Sequence, residues 1–325
     1  MFTQLRRKAI YFRIYQYFII LSFISMGFYS CDNTSTEAVI PTSSTVSSDN
    51  EEDDLEQPEI LPLAIDSSDL VVLPLDTGGV HKAFTLGATP AVFGHYIYTP
   101  SGYTDSGAEY PLLVFLHGWD PSGYTGSDFS ELNELQQGVT PPGLISEGKW
   151  NPSFPFIVAS PRLKSYDYWR PQDVHSFINY LIQEYQVNTS RIYITGLSLG
   201  GGGAWYYVGV MGTENYAAAI VPISARGEPS IVTNLSKVPI WAFHGDSDTT
   251  VPHNENFGSV PLVSAINARN PEVKAKITVF NNTGHDAWSR VYSDNFTKRT
   301  QGDPFTVSIY DWLLQYKKEN LNEDN

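Results

Sequence analysis

Residues 191–205 read RIYITGLSLGGGGAW, a β-branched run that ends in Gly196-Leu197-Ser198-Leu199-Gly200 and continues into a helical stretch. Between a strand and a helix, the G-x-S-x-G spacing sets its serine on a tight turn. The glycines stand where a Cβ would collide with the neighbouring strand and helix. Ser198 would then present its hydroxyl at the carboxyl edge of a sheet. A serine hydroxyl is a weak nucleophile until an imidazole takes its proton, and the imidazole needs an acid to orient it. Around such a turn the acid and then the histidine follow the serine along the chain. The apolar run PIWAFHG leads into DSDTTVP, which offers Asp246 and Asp248, and KITVF leads into NNTGHDAW, which offers His285. The implied chemistry is acyl transfer to water through a serine-bound intermediate.

Attack by Ser198 creates an oxyanion that needs preorganised donors, each contributing about 2.7–4 kcal/mol of barrier. The backbone N–H of Leu199 at the helix start is one expected donor. The backbone N–H of Trp119, after PLLVFLHGWD, is the other. His117 and His244 each close an apolar strand before a glycine and read as structural residues at a loop entrance. His81, His95, His175 and His253 read as surface or packing residues. Tyr124, Tyr166, Tyr168, Trp169 and Trp288 fall in loops expected to border the cleft, where flat rings pack on sugars or phenolic acyl groups. Of these, Trp169, Trp288 and Tyr124 are expected to bind substrate. The reaction needs no metal and no cofactor, and one cysteine among 325 residues provides neither a disulfide nor a CxxC metal framework.

Short apolar runs bounded by turn residues read as buried strands at 92–99, 111–116, 154–160, 191–195, 217–223, 239–243 and 276–280. Stretches of helical period lie between and after them at 171–185, 198–211, 260–268 and 306–317. This alternation predicts an α/β fold, a mainly parallel twisted sheet with helices on both faces, in a single domain over 59–325. An extra strand is expected near 70–75.

The segment before that domain reads as an address. Arg6, Arg7, Lys8 and Arg13 precede a short apolar run that ends at Cys31, which is the pattern of an export signal over residues 1–30. The run is shorter than the roughly 20 residues that span a bilayer. Residues 31–58 are rich in Ser, Thr, Asp and Glu with no aromatic side chain, the composition of a disordered tether. A formal charge of −15 opposes binding to nucleic acid and to anionic membrane surfaces, whereas 42% hydrophobic residues suffice for a large core.

The segments YPLLVFLHGWD, TPPGLISEGKW, FPFIVASP, DVHSFINYLIQEYQVNTSRIYITGLSLGGGGAW, PIWAFHGDSDTTVP and NTGHDAWSRVY, in that order, resemble the α/β-hydrolase superfamily. More narrowly, they resemble its bacterial polyhydroxyalkanoate-depolymerase-like, feruloyl and acetylxylan esterases and predicted peptidases. The resemblance implies Ser198 as nucleophile, Asp248 as acid, His285 as base, and Trp119 and Leu199 as the oxyanion hole. Asp246 departs from the usual place of the acid and is the second choice. The bulk of Trp119, where the family often has a small residue, bears on the shape of the acyl pocket. FYSC resembles a relaxed lipobox, which implies lipidation at Cys31 and an exported bacterial lipoprotein at the periplasm or cell surface, touching the membrane only through that anchor. The expected partner is an ester-bearing substrate, a polysaccharide carrying acetyl or feruloyl groups. The alternatives are a serine peptidase of the same fold and a catalytically inactive surface glycan-binding lipoprotein.

Overall fold

The computed structural model describes residues 66–318, except 104–106, 121–123, 126–127, 166 and 298. The expected signal, Cys31, the tether and Tyr166 lie outside the described residues, which all fall within one compact unit, Leu61–Asn325. Among the described residues, nine strands form one sheet: β1 (Val80–Phe84), β2 (Gly94–Thr99), β3 (Tyr110–Leu116), β4 (Ile157–Arg162), β5 (Val187–Leu197), β6 (Ala219–Ile223), β7 (Trp241–Gly245), β8 (Lys276–Phe280) and β9 (Thr300–Gly302). Their order is β1-β2-β4-β3-β5-β6-β7-β8-β9. The six strands from β4 to β8 run parallel, and the outer pairings β1·β2, β2·β4 and β8·β9 are antiparallel. The helices are α1 (Phe129–Leu132), α2 (Pro141–Ser146), α3 (Pro171–Glu184), α4 (Leu199–Met211), α5 (Val232–Leu235), α6 (Ser259–Asn267), α7 (Trp288–Tyr292) and α8 (Ile309–Leu313).

The period-2 alternation of side chains divides each central strand between two cores. Leu112, Val114 and Leu116 of β3 join Ile192, Ile194 and Ala242 beneath α3, α4 and α6. Leu113 and Phe115 join Tyr193, Val221 and Phe243 beneath α7 and α8. Both faces are covered, which is why these strands are apolar throughout instead of alternating with polar residues. Helix α3 begins with Pro171, whose fixed φ suits a first helical position, and buries Val174, Phe177, Ile178 and Leu181.

The mainly parallel sheet with helices on both faces is the fold expected from the alternation, and the differences are local. Residues 70–75 form no strand. The backbone N–H groups of Leu70 and Val71 both donate to the Ser67 carbonyl, so the chain turns, with Leu70 buried and Val71, Val72 and Leu75 exposed. The edge strand falls instead at β1, whose half-exposed residues carry little apolar signal. Strand β5 starts earlier than expected, at Val187, which pairs with Tyr110 before an irregularity that holds the polar residues Asn188-Thr189-Ser190. The expected helix at 306–317 is confined to α8, since the Ser308 side chain accepts the Tyr310 N–H and starts the helix there.

At the sheet edge opposite the carboxyl ends, Arg191 is fully buried and pairs with Asp69 at 2.7 Å. It also donates to the carbonyl of Leu314 at 2.7 Å and to that of Asp66. One guanidinium thus joins the first described residues, β5 and the end of α8.

Candidate active site

Because β3, β5, β7 and β8 run parallel, the loops that follow them leave the sheet on one edge, where Ser198, Asp248, His285 and the 117–119 segment meet. Ser198 follows β5 with φ 51° and ψ −117°, a conformation that L residues seldom adopt. Its N–H donates to the Ile223 carbonyl at 2.9 Å, and its own carbonyl accepts from Gly202 at 3.0 Å. Such a turn fits only if its flanks lack side chains. A Cβ on Gly196 would lie 2.5 Å from the Gly200 carbonyl carbon, and one on Gly200 would overlap the Leu116 carbonyl oxygen.

The imidazole of His285 stands between the other two groups. Its Nε2 is 2.9 Å from Ser198 Oγ and its Nδ1 is 2.7 Å from Asp248 Oδ2. A carboxylate accepts, so Nδ1 carries the hydrogen and Nε2 is left to accept the serine proton. The other oxygen of Asp248 accepts the N–H groups of Thr250 and Val251, each at 2.9 Å. Burial alone would raise the Asp248 carboxyl. Hydrogen bonds from His244, His285 and the Val251 N–H outweigh it and hold the group well below the ordinary carboxylate range. Asp246 points elsewhere, accepting from Ser247 Oγ at 2.8 Å and from the Thr283 N–H at 3.3 Å.

The 117–119 segment passes Ser198 closely enough that a Cβ on Gly118 would lie 3.6 Å from the Ser198 Cβ. His117 fixes its path. The Leu163 N–H donates to His117 Nε2 at 3.0 Å, so the ring proton sits on Nδ1 and donates to the Gly118 carbonyl at 2.7 Å. Burial pushes the His117 imidazole down to about 4, which keeps it neutral. In a trans peptide the carbonyl and the following N–H point opposite ways, so this contact turns the Trp119 N–H away from the His117 ring. The Trp119 side chain is 61% exposed.

Two of the three aromatic residues expected to bind substrate are buried instead. Trp169 is 3% exposed, packs edge-on against Phe93 and His117, and donates from Nε1 to the His117 carbonyl at 3.0 Å. It braces the 117–119 segment and does not face solvent. Its neighbour Tyr168 is 52% exposed, with Arg170 4.4 Å from its ring centre. The buried Tyr124 lays its hydroxyl against Gly94 and lines a cavity of about 190 Å³ with Phe93, Arg162 and Lys164. Trp288 does reach the site, its ring edge-on to His285 at 5.2 Å. A loop position in the sequence does not tell which aromatic ring turns inward. Among the described residues, no cluster of three or more His, Cys, Asp or Glu side chains is arranged to hold a metal ion.

Residues 169–300, a span that takes in Ser198, Asp248 and His285, match the model of the dienelactone hydrolase family. Over 170 residues, half of this chain, the sequence is 26% identical to the bifunctional acetylxylan esterase/xylanase XynS20E of Neocallimastix patriciarum. The chain spans only 22% of that relative's length. Among solved structures, a thermostable esterase superposes with a TM-score of 0.54 at 23% identity, over 74% of this chain and 63% of the other. A second protein, designated FAE, superposes with a TM-score of 0.50 at 18% identity, over 77% of this chain and 91% of the other. Both structural likenesses concern the fold. With the sheet order, they show that the chain has the α/β-hydrolase fold.

Proposed function

We propose that the protein is a serine carboxylic ester hydrolase that removes acyl groups, acetyl or feruloyl, from polysaccharide. In this reading His285 Nε2 takes the proton of Ser198 as Oγ attacks the ester carbonyl, and the oxyanion is held by the N–H groups of Leu199 and Trp119. Collapse releases the sugar hydroxyl, protonated by His285, and leaves an acyl-serine. Water, deprotonated by the same imidazole, then frees the acid. Asp248 keeps the Nδ1 proton in place and balances the imidazolium charge throughout.

The observation that carries the reading is the single imidazole spanning 2.9 Å to a strained serine and 2.7 Å to a buried carboxylate. The naming of XynS20E as an acetylxylan esterase supports the glycan substrate. So do the exposed faces of Trp119 and Tyr168. Cys31 is proposed as a lipid anchor that holds the enzyme at a membrane surface. The catalytic test is incubation of the purified full chain with acetylated and feruloylated xylan, alongside labelling by a fluorophosphonate. Wild type should release acid and take up label, and Ser198→Ala should lose both, with turnover down by several powers of ten. Wild type inert toward every ester, or Ser198→Ala as active as wild type, would refute the assignment.

A further inference from the structure

His244 closes β7 with its side chain fully buried, on the strand face shared with Ala242 and directed at α6. Its Nε2 lies 2.8 Å from the Val251 carbonyl oxygen and 3.2 Å from Asp248 Oδ2, and its Nδ1 lies 2.8 Å from Ser259 Oγ in α6. A carbonyl oxygen only accepts, so Nε2 carries a hydrogen, which is shared between Val251 and the carboxylate. Asp248 is therefore met by four donors. The N–H groups of Thr250 and Val251 take Oδ1, and two imidazoles converge on Oδ2. The second imidazole is tied to α6 on its far side, and Ser259 is in turn 3.3 Å from the Ala225 carbonyl after β6.

We infer that His244 is a positioning residue for the acid. Its Nε2–H anchors the oxygen of Asp248 that also receives His285, which fixes the carboxylate and draws off part of its charge. The consequence for turnover rests on the esterase reading above, whereas the effect on the imidazole does not. The groups facing this cluster are few. His253 has its ring centre 6.2 Å from that of His244 and is kept toward its neutral form by burial. Asp246 acts on His253 from the same loop. Arg226, next to Ala225, lies over the Phe257 ring at 4.0 Å, and α6 contributes no charged side chain. Asp248 is thus the nearest anion on which His244 can act.

If the Nε2–H is removed, the charge of Asp248 Oδ2 falls on His285 alone, and the carboxylate is free to rotate. Full-length His244→Phe removes the donor and keeps a ring. His244→Gln keeps an N–H that can reach the same oxygens. In His244→Phe, the NMR titration of the His285 ring should move to higher pH, because a less shared carboxylate holds the imidazolium more firmly. The kcat for ester hydrolysis should fall about 100-fold with KM within about twofold, the pattern of a misplaced group that binds no substrate. His244→Gln should restore the titration and most of kcat. An unmoved His285 titration in a folded His244→Phe, or His244→Gln as impaired as His244→Phe on both readouts, would overturn the inference. Should His244→Phe fail to fold, Ser259→Ala loosens the same imidazole from its other side, and an unmoved titration there would overturn it as well. The NMR arm uses no substrate. A shifted titration in a protein that cleaves no ester would sink the esterase reading and leave the anchoring of Asp248 by His244 standing.

Discussion

Ser198 occupies a backbone region that costs about 1–3 kcal/mol for a residue with a Cβ, and two glycines and a bed of carbonyls hold it there. That strain makes mechanical sense if the hydroxyl must stand clear of the helix that follows and meet His285 at 2.9 Å. At the same scale, the choice between two neighbouring acids turns on which carboxylate reaches the imidazole. Asp248 does so at 2.7 Å, whereas Asp246 is spent on Ser247 and Thr283. Steady-state kinetics on the two variants test this directly. Asp248→Asn should lower kcat by about 10⁴, as expected when the orienting carboxylate is lost. Asp246→Asn should stay within about tenfold, so a larger loss at Asp246 would mean that the acid lies there. Both aspartates follow β7 at suitable distances along the chain, and only their hydrogen-bond partners separate them.

Between α7 and α8, burial raises the Asp294 carboxyl to about 6, with Asp311 adding to the rise and a hydrogen bond from Ser308 opposing it. One of its oxygens is buried without a hydrogen-bond partner. The folded value lies above the unfolded value of 3.8. The protonated group therefore supports the fold fully below about pH 4, and that support is lost as pH rises through about 6. Asp294→Asn removes the charge and keeps a side chain that tolerates the positive φ of this position. It should stabilise the protein by about 1–2 kcal/mol at pH 7, with the gain vanishing near pH 4, as read from thermal melts across that range. Melts that respond equally at both pH values would show that the carboxyl is not the strained group. Nothing in the stretch Val291-Tyr292-Ser293-Asp294 marks a buried acid, because its burial is created by α8 folding back from residues 309–313.

For the whole molecule, no helix among the described residues is long and apolar enough to cross a membrane, and the proposed anchor at Cys31 is tested separately. Cys31→Ser should move the protein from the membrane fraction of its host to the soluble fraction, with ester turnover per molecule unchanged. Retention at the membrane would exclude the thioether anchor. Fold class and the order serine, acid, histidine were legible from the chain because they follow from local regularities. Apolar runs of strand length, a Pro-initiated amphipathic helix and a glycine-flanked serine report on residues close in sequence, and backbone sterics dictate what these can form. The meeting of Asp248 with His285, the inward turn of Trp169 and Tyr124 and the burial of Asp294 were decided only when separate segments packed. His285 lies 37 positions from Asp248, and the carbonyl that Trp169 holds lies 52 positions from the tryptophan. Local pattern carries no record of which of two equally spaced groups a remote loop will meet, since that outcome is set by strand order and by the space left between helices.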